Sequence, residues 1–346
     1  MKAVLKAAIS ILAAIFIVVG ITTATAGAQD TFKPSVNTFF WLQVGMFNNE
    51  ADDGRASFDF KRARFGIKGN VHPKISYHLM IEGAHKGDEF RLYQAWMTYH
   101  LHPLANIRVG QFKYPFTMDS YPGFVWWKFY NPSLGTIGIG KELGRKSGTE
   151  SGLFRDIGVE LSGKYKFNDD YTGVYNLMIM NGNGILKSDN NDKKDFVGRV
   201  GIMAPHGIQA GAAVYFGQYR PDAGQIDYNE SGISTYFKWD HNIKGYRFHL
   251  MGEYVMATNK TGGDDIEAEG YYGYATFFPV RELEFGGRYS HYEPDKNSAV
   301  AEESEEQMLL VAYYFDDGQK IMINYDLDGD NYLTVVFQIT LGAKLL

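Results

Sequence analysis

From about residue 35 to residue 341 the chain alternates apolar and polar side chains with a period of two. Nowhere in that span is there a run of the ~18–20 apolar residues that a membrane-crossing helix needs. In residues 331–341, Leu333, Val335, Phe337, Ile339 and Leu341 share one face, while Thr334, Gln338 and Thr340 share the other. Residues 156–167 repeat the pattern, with Ile157, Val159, Leu161, Tyr165 and Phe167 opposite Glu160, Ser162, Lys164 and Lys166. A strand with one apolar face needs either a second sheet or lipid to cover it. In lipid, only helices and closed barrels satisfy every backbone group. If this chain lives in a membrane, it is therefore a closed antiparallel barrel with its apolar phase outward. The same phase predicts that Thr334 and Gln338 face water.

The composition suits a barrel better than a soluble enzyme. Mean hydropathy is −0.27, yet 15% of residues are aromatic and 39 are glycine. An apolar outside, a wet inside and aromatic girdles at both interfaces would produce that mixture. There is no cysteine, which excludes disulfides and thiolate metal sites.

Residues 1–28 carry Lys2 and Lys6, an apolar stretch from Ala7 to Ile21, and small residues at Ala24-Thr25-Ala26 and Ala26-Gly27-Ala28. This is the pattern of a secretory signal peptide. It predicts export, a mature chain of residues 29–346, and a formal charge that moves from −6 to −8 when the two lysines are lost.

Sixteen segments read as strands, from about 35–47 to 331–341. Alternate connections are tight, as at His72-Pro73, Asn168-Asp169-Asp170, Pro205-His206-Gly207 and Asp317-Gly318, while those between are mostly longer and polar. Short turns on one side and long loops on the other are the signature of an outer-membrane barrel. One connection is out of scale: residues 113–155 lack sustained alternation. A loop of that length is usually functional. It is either a constriction folded into the lumen or a flap over the mouth, and the first is expected here.

Four segments carry a family resemblance. Phe60-Lys61-Arg62-Ala63-Arg64-Phe65-Gly66-Ile67-Lys68-Gly69 resembles the second-strand motif of the phosphate-selective porin O and P family. Leu92-Tyr93-Gln94-Ala95-Trp96-Met97, Arg108-Val109-Gly110-Gln111-Phe112-Lys113 and Arg155-Asp156-Ile157-Gly158-Val159-Glu160-Leu161-Ser162-Gly163 fit in order after it. The resemblance is strongest over about 39–167. It implies a sixteen-stranded trimeric barrel with an inward loop and a lumen whose arginines and lysines pass anions such as phosphate.

Placing the apolar phase outward assigns Arg62, Arg64, Lys68, Lys74, Arg108, Lys164, Lys166, Arg199, Arg247, Arg288 and Lys320 to the lumen, against Glu82, Glu160, Glu253, Glu284 and Asp326. The segment 113–155 adds Lys113, Lys128, Lys141, Arg145, Lys146 and Arg155 against Asp119, Glu142 and Glu150. Positive charge thus gathers where solute would pass, in a chain that is negative overall. Charges in a narrow channel focus the field and concentrate counter-ions, and rings of Arg or Lys favour anions. Arg62, Arg64 and Arg108 are expected to form part of one basic wall.

Other motifs carry less. Asp326, Asp328 and Asp330 lack the glycine and glutamate spacing of a calcium loop and read as a hairpin turn. His100 and His102 end a strand before Pro103 with no third ligand in sequence, which reads as a turn rather than a metal site. No catalytic constellation stands out, so neither enzymatic activity nor a cofactor nor a nucleic-acid partner is expected. The reading is a passive outer-membrane diffusion channel with anion preference, in contact with outer-membrane lipid. A general or cation-passing porin, and a structural or adhesion barrel with a plugged lumen, are the alternatives.

Overall fold

The structure is a computed structural model that describes residues 32–49, 55–84, 90–121, 128–143, 154–220, 227–260, 265–298, 300–316, 318–328 and 332–342. Residues 1–28, where a signal peptide is expected, lie outside the described residues. The first eight strands are β1 (Asn37–Asn49), β2 (Arg55–His72), β3 (Ile75–Glu82), β4 (Arg91–His102), β5 (Ala105–Lys113), β6 (Arg155–Lys166), β7 (Thr172–Met180) and β8 (Asp195–Ala204). The rest are β9 (Ile208–Tyr219), β10 (Tyr228–Ile243), β11 (Tyr246–Lys260), β12 (Asp265–Val280), β13 (Leu283–Glu293), β14 (Ser304–Asp316), β15 (Gln319–Asp326) and β16 (Leu333–Leu341). A helix, α1 (Leu134–Leu143), lies between β5 and β6.

Each strand pairs with its neighbours in sequence, and β1 pairs antiparallel with β16 from Phe40↔Leu341 to Met46↔Val335, closing a sixteen-stranded barrel. The hairpin ends are built from local hydrogen bonds. Asn168 Oδ1 accepts from the backbone N–H of Asp170 and of Tyr171, both at 2.9 Å, which folds the 167–171 turn. His102 Nδ1 accepts from Leu104 N–H at 3.2 Å, so this histidine serves the turn after β4.

Alternation sets which side chains point inward. On β16, Leu333, Phe337, Ile339 and Leu341 are exposed on the outer surface, while Thr334, Val336, Gln338 and Thr340 are buried. The inward phase is as the sequence predicts, but Gln338 does not face water. It is 2% exposed, accepts from Gln43 Nε2 at 2.7 Å and donates to Gly318 O at 3.3 Å. Closure brings β1 and β16 side by side, and two inward amides then satisfy each other.

Two bulges redirect side chains. The register slips between Gln43 and Val44, where the ladder skips Lys61 on β2, and between Met80 and Ile81, where it skips Tyr93 on β4. A bulge puts an extra residue on one strand and bends it locally. Tyr93 is 0% exposed as a result, packed with Trp41, Phe39, Met80 and Ile185.

The outward phase generates the first prediction. Val335→Arg should cost about 2–4 kcal/mol of folding free energy near the bilayer midplane, whereas a charge on the inward, half-exposed Ser162 should cost little. Urea unfolding in lipid vesicles compares the two, and equal losses would overturn the assigned phase.

Candidate permeation pathway

The inner wall has two unlike halves. On β7 to β12 its side chains are largely apolar: Met178, Met180, Val197, Ala213, Tyr215, Val255, Ala257 and Ala268 are all buried. They are buried because the segment between β5 and β6 packs on them through Phe116, Ile137, Ile139 and Leu143. Further along, Phe129 packs on Met308, Leu310, Ala312, Met322 and Val336 of β14 to β16. The apolar character of these inward positions is visible in the sequence, since β7 (TGVYNLMIM) is apolar on both faces. A strand apolar on both faces is covered on both. That signal, not used above, would have located the wall on which the segment lies.

Polar contacts pin the segment to the same wall. The Glu253 carboxylate on β11 accepts from the backbone N–H of Met118 (2.7 Å) and Asp119 (3.0 Å), and from the hydroxyls of Ser234 (2.6 Å) and Tyr272 (3.0 Å). Gly135 N–H in the first turn of α1 donates to Ser290 Oγ on β13 at 2.9 Å. Arg288 Nη1 donates to Asn131 O at 2.8 Å, and Arg62 Nη1 donates to Tyr130 O at 2.9 Å.

The basic residues fall into separate groups. Arg64 is 0% exposed: it pairs with Glu82 at 2.5 Å, donates to Tyr93 Oη at 3.0 Å, and lies between the rings of Trp41 and Tyr93. Arg155 covers the same Tyr93 ring at 3.7 Å, and buried Lys113 donates to Ser120 O. Lys113 lies near enough to Arg155, Arg64 and Arg62 to feel their charge. Arg288 is buried over Phe129 and pairs with Glu306. Toward the turn-side rim, Arg247 and His249 share Asp240 at 3.0 Å each, and Lys128 pairs with Glu284 at 2.9 Å. Burial pulls the Lys128 ammonium below its ordinary value, opposed by Glu284.

A further group keeps some exposure on the inward phase. Lys68, Arg108 and Arg199 are half-exposed and Lys164 is exposed, on β2, β5, β8 and β6 respectively. Arg108 lies 3.6 Å from Glu160 and 3.4 Å from Thr98 Oγ1, both loose contacts. Arg199 donates to Asn176 Oδ1 at 3.2 Å and covers the Tyr121 ring.

The single basic wall expected of Arg62, Arg64 and Arg108 is therefore two arrangements. Arg62 and Arg64 are packed dry beside Trp41 and Tyr93, whereas Arg108 stands farther along with Lys68 and Trp96. The bulge that turns Tyr93 inward and the arrival of Tyr130 separate them. Arg145, Lys146 and the side chain of Lys141 lie outside the described residues. The lumen acids are also more numerous than the five expected. Asp195, Glu230, Asp240 and Glu306 take the inward phase of β8, β10 and β14. Glu230 precedes the segment that reads as a strand and Glu306 belongs to an acidic run that reads as loop, whereas Asp195 and Asp240 lie within segments that read as strands. Asp195 is saturated inside the wall, accepting from Tyr215 Oη and Gln218 N–H.

With this geometry in hand, comparison with known proteins is informative. The family model for "phosphate-selective porin O and P" matches residues 35–332. No curated protein matches. Among solved structures, the anion-selective porin from Comamonas acidovorans aligns with a TM-score of 0.62 at 12% identity, covering 89% of this chain and 98% of that one. OmpT of Vibrio cholerae in its trimer form aligns at 0.61 and 11% identity, covering 90% and 100%. The outer membrane channel DcaP of Acinetobacter baumannii aligns at 0.59 and 14%, covering 91% and 100%. At these identities the structural likeness speaks to the barrel alone.

The buried Arg64–Glu82 pair yields the second prediction. Removing one partner leaves an uncompensated buried charge, so Glu82→Gln should lower unfolding free energy by about 3–5 kcal/mol. Asp169→Asn, which removes the exposed partner of Lys166, should leave stability unchanged. Denaturant titration of the micelle-folded barrel reads both.

Proposed function

Because the chain belongs to the phosphate-selective porin O and P family, and is thus an outer-membrane porin rather than an enzyme, we propose that it is an anion-preferring diffusion channel whose solutes include phosphate. The observation that carries this is the exposure of four inward-phase cations: Lys68, Arg108 and Lys164 on β2, β5 and β6, outside the apolar wall of β7 to β12, and Arg199 on β8, against Met118 and Tyr121. Solute passing through has cations beside it and mostly apolar or internally hydrogen-bonded groups elsewhere. Cations in a confined, partly low-dielectric passage raise the local anion concentration. Arg108 is half-exposed beside Glu160, Thr98 and Tyr121, and its planar fork suits phosphate oxygens.

In this reading the segment 113–155 lies within the lumen and constricts it. The contacts of Met118, Asp119, Tyr130, Asn131 and Gly135 with inward side chains support that placement. A homotrimer is proposed as well, on the family membership and on the trimer form of OmpT.

Two measurements test the proposal. In a planar bilayer under a potassium chloride gradient, the reversal potential should report anion preference, and the preference should shrink as salt shortens the Debye length from about 10 Å at 0.1 M to about 3 Å at 1 M. Replacing Lys68, Arg108, Lys164 and Arg199 by Gln should reduce that preference while a neutral solute passes as before. Inorganic phosphate should block chloride current at concentrations well below the background salt. Cation selectivity of the unmodified protein would overturn the reading. Separately, deleting residues 120–150 should raise single-channel conductance and weaken selectivity; unchanged values would place the segment outside the pathway.

A further inference from the structure

Three side chains at the turn-side end of the inner wall are hydrogen-bonded in a fixed order. Ser76 Oγ of β3 lies 2.9 Å from His100 Nε2 of β4, and His100 Nδ1 lies 2.8 Å from Asn106 Oδ1 of β5. All three take the inward phase: Ser76 pairs across the strands with Thr98, Thr98 with Arg108, and His100 with Asn106. Ser76 and Asn106 are half-exposed and His100 is exposed, so solvent reaches the whole set.

The outermost group decides which atom donates. Asn106 Nδ2 donates to Ser162 O of β6 at 3.3 Å, which turns the amide oxygen toward His100. An amide oxygen only accepts, so His100 carries a proton on Nδ1. In a neutral ring Nε2 is then a bare acceptor, and the Ser76 hydroxyl donates to it. The order is hydroxyl, imidazole, amide: a nucleophile against a base that a third group holds in one tautomer. The backbone ladders of β3–β4 and β4–β5 already hold these strands together. The set is invisible in the sequence, because residues 76, 100 and 106 come from three strands and form no motif.

We infer that Ser76 is a nucleophilic serine that takes an acyl group from activated carboxylic esters entering the turn-side mouth. The Ser76 oxygen bonds to the ester carbonyl carbon, and its proton passes to His100 Nε2. The bond to the leaving alcohol then breaks, its oxygen keeps the electron pair, and the proton returns from His100 to that oxygen or to water. Asn106 touches no substrate and is a positioning residue. Lys74, whose carbonyl accepts from His100 N–H at 2.7 Å, and Lys164, whose N–H donates to Pro103 O at 3.1 Å, stand exposed at the same end. Their charge favours an ester whose leaving group departs as an anion. The product is an acylated serine in the wall of a channel, a covalent modification of the porin rather than turnover. It does not depend on which ions the channel prefers.

The test uses the micelle-folded full chain and p-nitrophenyl acetate at neutral pH. Tandem mass spectrometry should place an acetyl group on Ser76, and p-nitrophenolate should appear in a burst that Ser76→Ala abolishes. His100→Gln should slow the acylation of Ser76 about a hundredfold or more, the scale of a lost general base. Asn106→Ala should slow it too, whereas Asn106→Asp, which still accepts from Nδ1–H, should hold the rate. His102→Gln, at the neighbouring turn, should change nothing. The tautomer is a readout that a merely structural Asn106 would not move: nitrogen-15 shifts of His100 should show the proton on Nδ1, and Asn106→Ala should redistribute it. Heat-modifiable gel mobility verifies folding; if Ser76→Ala does not fold, the site of the adduct in the unmodified chain and the His100→Gln rate decide. Acetyl groups on lysines alone, an unchanged rate in folded His100→Gln, or a proton held on Nε2 in the unmodified protein would each overturn the inference.

Discussion

Everything in this molecule follows from the need to satisfy backbone N–H and C=O groups where there is no water. A sheet of fifteen hairpin-linked pairings still has two edges; the pairing of β1 with β16 removes them. That closure also converts a period-two sequence into an inside and an outside. Outward positions such as Phe65, Val109, Leu161, Val200 and Phe337 can then remain exposed apolar side chains, because lipid takes the place of a core. The interior receives every polar group that alternation sends the other way.

An interior lined only by polar side chains would be a wide, wet hole. Part of the inward phase is instead apolar, and side chains of the segment that follows β5 pack on it. The packing of Ile137, Ile139 and Leu143 against Val197, Val255 and Ala257 is ordinary burial of apolar area. Glu253 adds orientation, since its carboxylate accepts two consecutive backbone N–H groups, those of Met118 and Asp119. Hydrogen bonds to a charged acceptor are stronger than neutral ones. The asymmetry of the wall arises here: Arg288 and Lys128 are paired and buried where the segment packs, whereas Lys68 and Lys164, on β2 and β6, keep their exposure.

The same asymmetry explains why residues of one chemical type serve different ends. Arg64 and Arg108 both stack on aromatic rings, yet one is sealed with Glu82 beneath Tyr93 and the other borders the lumen. The first holds strands together at the cost of desolvation; the second is stacked on Trp96 and half-exposed. Counting both as lumen charge overstates what a passing ion meets. Including Asp195, Glu230, Asp240 and Glu306 lowers the net further. The case for anion preference rests on which cations are open, not on how many there are.

Alternation, turn chemistry and segment spacing are local, and they are legible in the sequence by itself. They determined a closed barrel, its sixteen strands, the outward phase of β16 and β6, and the family to which Arg62, Arg64 and their neighbouring motif residues point. Only the tertiary structure decided which of those basic residues are buried, because their partners are distant along the chain: Arg62 with Tyr130, Arg288 with Asn131, Gln43 with Gln338. Period-two alternation says that a side chain points inward. It does not say what lies opposite, and where another part of the chain packs on an inward position, that neighbour decides whether the charge meets solvent or another side chain.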